Sequence, residues 1–129
     1  MTSVRLRPIV PGKVHGRIVK VGSLSFYGEV DPERGVLIGD GRSLSGRVLF
    51  IGRSRGSTVG SYVIYALRYY GNAPAAIVMV ESEPIVITGA ILAGIPLFEG
   101  LPREMFSNVK DGDCADIDNS GVLNLGGDC

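Results

Sequence analysis

Apolar and polar positions follow one another along this chain in patterns that predict its elements. Val14 to Val21 sets His15, Arg17 and Lys20 among apolar residues and reads as a strand that ends in a glycine-punctuated turn. Asp31-Pro32-Glu33-Arg34-Gly35 carries turn chemistry, because proline presets one backbone dihedral and glycine accepts a positive one. Val36 to Ile38 is then a short strand, and Gly39-Asp40-Gly41 reverses the chain again. Arg47 to Ile51 is an almost continuous β-rich run, as expected of a strand buried on both faces. A polar loop, Gly52 to Ser57, follows it.

The next segment has the helical period. Val59, Tyr62, Val63, Ala66, Leu67 and Tyr70 form one apolar stripe, with Ser57 or Thr58 as N-cap and Gly71-Asn72 as the stop. Ala75 to Val80 is a second buried strand. Pro84 starts a helix through about Ala93, closed by Gly94, and Ile95 to Phe98 is a third strand. Strand–helix–strand–helix–strand predicts an α/β fold, a layer of largely parallel strands with helices packed on it. Cys114 to Asp118 and Val122 to Leu125 flank Asn119-Ser120-Gly121 and read as a hairpin at about 113–125. Asp116, Asp118, Ser120 and Gly121 imitate half of a calcium loop. The twelfth position is Gly127, however, where calcium needs a carboxylate.

Composition narrows the function more than the fold. The 129 residues suit one domain, 1–129, with one core. Thirteen basic and thirteen acidic side chains cancel, which argues against nucleic acid or an anionic membrane as partner. The nearly apolar stretch from Pro84 to Phe98 is too short and too interrupted to span a bilayer, and Met1 to Val10 lacks a signal-peptide core, so a cytoplasmic protein is expected. Cys114 and Cys129 read as a buried or free thiol and a loose terminal thiol; a disulfide between them would close a short hairpin. Two cysteines and one histidine are too few for a cubane iron–sulfur cluster or a structural zinc site, so any metal chemistry must come from another chain.

Candidate chemistry concentrates in the loop from Gly52 to Ser57. It joins a buried strand to a helix, so its amides sit at a positive helix end, and Arg53 and Arg55 add charge. Such a site suits a carboxylate, a phosphate or a forming oxyanion. It is not a phosphate-binding Walker loop, since no Gly-Lys-Ser/Thr follows. Residue by residue, Ser57 reads as a helix cap worth about 1 kcal/mol, and the arginines as solvated loop charges. His15 reads as a strand or surface residue, and Glu81 and Glu83 as solvent-facing groups before Pro84. With no Gly-x-Ser-x-Gly elbow, a hydrolase triad has little support.

At this loop the sequence resembles a known family. Arg55-Gly56-Ser57-Thr58-Val59-Gly60-Ser61-Tyr62-Val63 is similar to the signature of the small subunit of aconitase X, the archaeal phosphomevalonate dehydratase group. Phe26-Tyr27-Gly28-Glu29-Val30-Asp31 with Gly35 resembles its upstream motif. Gly71, Ala73-Pro74-Ala75-Ala76-Ile77 and the run Ile85 to Pro96 resemble the downstream ones. The likeness extends from about Val14 to the final hairpin. It implies a three-layer swivelling β/β/α domain, as in the mobile domain of aconitase. It also implies a hydro-lyase active only as a heterodimer with a large subunit, whose cysteines hold a [4Fe-4S] cluster. The implied reaction dehydrates (R)-5-phosphomevalonate to trans-anhydromevalonate 5-phosphate in an archaeal mevalonate pathway to isoprenoids. Ser57 takes the position of the family's proton acceptor, with Arg53, Arg55, Gly56 and Thr58 as candidate contacts to a small phosphorylated hydroxy acid. Two rivals remain: a cis-3-hydroxy-L-proline dehydratase subunit with the same fold and serine, and a non-catalytic binding or regulatory module.

Overall fold

A computed structural model describes residues 2–56 and 58–129. Among them, eight strands form one sheet in the order β1-β10-β9-β3-β6-β7-β8-β2, with a small separate pair, β4 (Val30–Asp31) and β5 (Val36–Leu37). The centre is parallel, as the alternation of elements predicts: β3 (Val14–Leu24), β6 (Val48–Ser54), β7 (Ala76–Met79) and β8 (Leu97–Glu99) run in register side by side. Both flanks are antiparallel. On one side β9 (Cys114–Ile117) and β10 (Val122–Leu125) form the predicted hairpin against the first half of β3.

The N-terminal segment supplies two strands that its sequence pattern does not announce. Here β1 (Thr2–Arg5) pairs with β10 at one end of the order, and β2 (Arg7–Val10) pairs with β8 at the other. Only Leu6 separates them, and its amide donates to the Gly121 carbonyl at 2.7 Å. The sheet therefore folds back on itself. Strand β3 is long enough to serve both halves, pairing with β9 through Val14–Arg17 and with β6 from Ile18 onward.

This folding produces three layers and two cores, and the central strands show both. Along β6, Val48 and Phe50 face the core between the two sheet halves, while Leu49 and Ile51 face the helices. Along β7, Ala76 and Val78 face the first core, Ile77 and Met79 the second. Alternate side chains leave opposite faces of a strand, so burial on both faces demands an unbroken apolar run. The architecture is a three-layer β/β/α arrangement, as the resemblance implies.

The helix layer contains α2 (Gly60–Tyr69) and α3 (Pro84–Ala93), with short α1 (Phe26–Glu29) and α4 (Arg103–Asn108), which were not expected. Helix α3 matches its predicted bounds and ends at Gly94 in the left-handed region. The α2 stop is also as expected: Asn72 donates to Leu67 and Gly71 to Arg68, the paired bonds of a Schellman turn.

The buried face of α2 differs from the predicted stripe. Gly60, Ser61, Ile64 and Leu67 are buried, whereas Tyr62 and Tyr70 are exposed. Close approach of α3 decides the difference. A methyl group at Gly89 would lie 2.7 Å from Ile64 Cδ1 and 2.9 Å from its Cβ. Small residues therefore set the helix spacing, and the large tyrosines are turned out. Gly89→Ala is expected to cost about 1–3 kcal/mol through overpacking, despite alanine's better helix propensity. Urea denaturation of the variant measures it.

Candidate functional site

Strands β3, β6 and β7 end on the same edge of the sheet, and each hands the chain to a helix there. Carboxyl ends of parallel strands are where open α/β sheets gather ligands, since loops and helix starts converge outside them. The candidate loop is less of a loop than its sequence suggests. Strand β6 continues through Ser54, with Ser23 opposite Arg53 and Leu24 opposite Ser54, and the Arg55 amide still donates to the Leu24 carbonyl at 2.9 Å. Irregular backbone is thus confined to the residues after Ser54.

Arg55 joins two of the sequence motifs. Its Nη2 donates to both Glu29 carboxylate oxygens at 2.9 Å, and its Nε donates to Ser23 Oγ at 2.8 Å. Glu29 Oε1 also accepts the Ser25 amide at 2.7 Å. The Ser25 hydrogen bond is the largest influence on the Glu29 carboxyl; desolvation opposes it and the Arg55 guanidinium reinforces it, so the pKa is lowered. Glu29 therefore contributes stability above its unfolded-state value of about 4.3, and that contribution is lost as pH falls through the lower folded value. Glu29→Gln is expected to be less stable than wild type near pH 6, with the gap closing under acid. Urea titrations at a series of pH values measure this.

Gly56 follows with φ of +120°, and a Cβ there would lie 2.6 Å from Ser25 Oγ. Both facts require glycine. Arg53 is exposed, and its side chain has no ion pair or hydrogen bond among the described residues. Thr58 is exposed as well. Ser57, the expected proton acceptor, lies outside the described residues.

Thr58, one of the two expected caps, does not take that position: helix α2 starts at Gly60 with Val59 before it, and the other, Ser57, lies outside the described residues. Instead the Thr58 carbonyl accepts from Ser61 at 3.3 Å and the Val59 carbonyl from Tyr62 at 3.0 Å, so a tight turn engages these amides. The helix start consequently offers fewer free N–H groups than an ordinary N-terminus.

A second brace comes from a residue expected to face solvent. The Glu83 carboxylate caps α3, accepting from Ile85 at 3.1 Å and Val86 at 3.0 Å, and it also accepts from Ser54 Oγ at 2.9 Å. Ser61 Oγ donates to the Ile85 carbonyl at 2.9 Å. Glutamate is not a favoured cap, so residue type alone conceals this role. Ser23, Ser25, Glu29 and Glu83 are thus the site residues that sequence reasoning missed, although Glu29 stands in the upstream motif. A shallow hollow of about 300 Å³, lined in part by Ser23, Gly28, Glu29, Ile38 and Arg42, lies beside the Arg55 clamp.

The cysteines are elsewhere and are not two separate thiols. Cys114 and Cys129 form a disulfide, with Cα atoms 5.5 Å apart. The hairpin sets Leu125 opposite Ala115, and Gly126 and Gly127, both at positive φ, turn the tail back onto Cys114. A groove of about 980 Å³ passes this disulfide, and none of the described residues of the candidate loop lines it. The chain does not fit a [4Fe-4S] cluster, since its two cysteines are bonded to each other and a cubane needs about four ligands of that kind. In the hairpin, Asp118 Oδ1 accepts from the Ser120 amide and hydroxyl and from the Val122 amide, which closes the turn.

Known proteins resemble this chain along almost all of its length. The phosphomevalonate dehydratase small subunit of Aeropyrum pernix is 58% identical over 121 residues, covering 94% of this chain and 91% of that protein. The protein of the same name from Methanosarcina acetivorans is 39% identical over 128 residues, covering 87% and 89%. The crystal structure of Thermococcus kodakaraensis aconitase X in its holo-form superposes with a TM-score of 0.87 at 39% identity, covering 97% of this chain and 98% of that one. The family model described as the aconitase X swivel domain matches residues 3–125, and the chain belongs to that family.

Proposed function

We propose that this chain is the small subunit of a cytoplasmic phosphomevalonate dehydratase, a hydro-lyase that works only with a larger partner subunit. The observation that carries this reading is the 58% identity, across nearly both full lengths, to a protein named as that subunit. The [4Fe-4S] cluster belongs to the partner in this reading, because the donors of this chain do not fit one. No helix among the described residues is long and apolar enough to cross a membrane.

The reaction removes a proton from the carbon beside a carboxylate and hydroxide from the next carbon, giving a double bond and water. Ser57, as alkoxide, takes that proton. Exposed Arg53 offers its charge to the substrate carboxylate or phosphate, and Thr58 and the Gly56 backbone complete the contact. Arg55, paired with Glu29 and Ser23, fixes the backbone that leads into Gly56 and Ser57. Glu29 and Glu83 brace the loop from either side. Closure of the two subunits excludes water and aligns the base with the carbon.

The test is co-expression with the large subunit, cluster reconstitution, and assay of water loss from (R)-5-phosphomevalonate. Turnover to the anhydro product is expected. Turnover of cis-3-hydroxy-L-proline alone, or stable purification of this chain as a monomer that never pairs, would overturn the proposal.

A further inference from the structure

The hairpin end of the molecule gathers three side chains of metal-ligating type. His15 on β3 lies directly opposite Asp116 on β9 in antiparallel register, and Cys114 lies two residues before Asp116. All three therefore project from one face of the sheet. The tail brings Cys129 to the same place, so that one ligand atom from each of His15, Cys114 and Cys129 lies within 4.8 Å of the others. His15 Nε2 is 3.9 Å from Cys114 Sγ, while His15 Nδ1 is 3.3 Å from Asp116 Oδ1.

We infer that the reduced form of this chain binds a zinc-class divalent cation through Cys114, Cys129 and His15, with Asp116 orienting the histidine. In tetrahedral coordination, Zn–N of about 2.0 Å and Zn–S of about 2.3 Å place nitrogen and sulfur roughly 3.6 Å apart. The His15–Cys114 pair is already near that spacing. The second sulfur must move outward, and Gly126 and Gly127, both at positive φ, lie between β10 and Cys129. The carboxylate–histidine contact fixes the tautomer, with Nδ1–H donated to Asp116 and the Nε2 lone pair left for the metal. Two thiolates and one imidazole select a soft or borderline ion over magnesium or calcium. The three ligands are too few for the closed structural site that the cysteine count excludes, but they suffice for an open one, so the expectation that any metal must come from another chain does not hold for this end of the molecule. The fourth position opens beside the groove that Met105, Asn108 and Asp113 help to line.

Opening the disulfide takes two electrons and two protons from a dithiol reductant, which leaves as its own disulfide. On metal binding, Cys114 and Cys129 each release one proton to solvent and neutral His15 releases none. The same pair therefore exists either as a covalent clasp or as a metal site. This inference does not depend on the dehydratase reading, because its test requires no turnover.

The full chain, oxidised or reduced with a phosphine, is titrated with Co2+ and then challenged with Zn2+. One equivalent of Co2+ is expected to bind the reduced chain only, with thiolate-to-cobalt charge-transfer absorption that Zn2+ abolishes. Asp116→Asn is expected to weaken binding about 10–100-fold, as loss of an outer-shell partner does. His15→Ala should weaken it by at least that much. Absence of charge-transfer absorption in the reduced wild-type chain overturns the inference, as does unchanged affinity in His15→Ala. The first readout needs no variant and stands even if a variant fails to fold.

Discussion

Replacing Ser57 with alanine is expected to lower kcat of the assembled dehydratase by about 10²–10⁴-fold, the usual worth of a positioned general base. Two readings of this serine make different demands on the experiment. A serine that only shapes the entry to α2 affects stability by about 1 kcal/mol and leaves the rate alone. A serine that removes the proton affects the rate and leaves the fold nearly unchanged. Steady-state kinetics and urea denaturation of the same variant, paired with the large subunit, separate them. Turnover within a few-fold of wild type would end the catalytic assignment. The surroundings favour a rate effect: Arg55 is held by Glu29 and Ser23, Ser54 by Glu83, and Gly56 has a conformation only glycine adopts readily. So much fixed structure around one short segment is suited to positioning.

How much of this was legible in the sequence depended on the range of the cause. Helix α3 was readable to the residue because Pro84 and Gly94 are local signals that act on their own backbone. The runs at β6 and β7 were readable because a strand with a core on each face has no room for polar side chains. By contrast, β1 and β2 owe their existence to partners far along the chain. Leu6 is buried only because the sheet closes around it. From sequence the disulfide is only the second of two readings for the same reason, since it takes the turn at Gly126 and Gly127 to bring the tail back to Cys114. The site divides in the same way. The Arg55–Gly56–Ser57 segment stood out through its motif, whereas the roles of Glu29 and Glu83 depend on three strands ending at one edge. The disposition of the loop's braces is therefore tertiary information.

Phe50→Ala is expected to cost about 3–5 kcal/mol, a large part of the roughly 5–15 kcal/mol that holds a domain of this size together. Phe50 is fully buried and faces the core between the two sheet halves, with Val78 beside it in register on β7. Truncation leaves a void that neither half can close, because β3 and the N-terminal segment tie both halves together. Tyr62→Ala provides the contrast. The sequence stripe counts Tyr62 as core, and burial there would make its removal cost several kcal/mol. Tyr62 is instead 71% exposed, so a change within about 0.5 kcal/mol is expected. Urea unfolding of the two variants in parallel tests the layer assignment and the rotation of α2 together. A small loss at Phe50 would overturn the assignment of a core between the two sheet halves, and a large loss at Tyr62 would return α2 to the face its sequence stripe predicts. The same strand carries Arg53 and Ser54 at its end, so under the proposed function the Phe50 variant is expected to disturb the candidate loop as well. A core that yields by a few tenths of an ångström there displaces the loop that Glu29 and Glu83 hold.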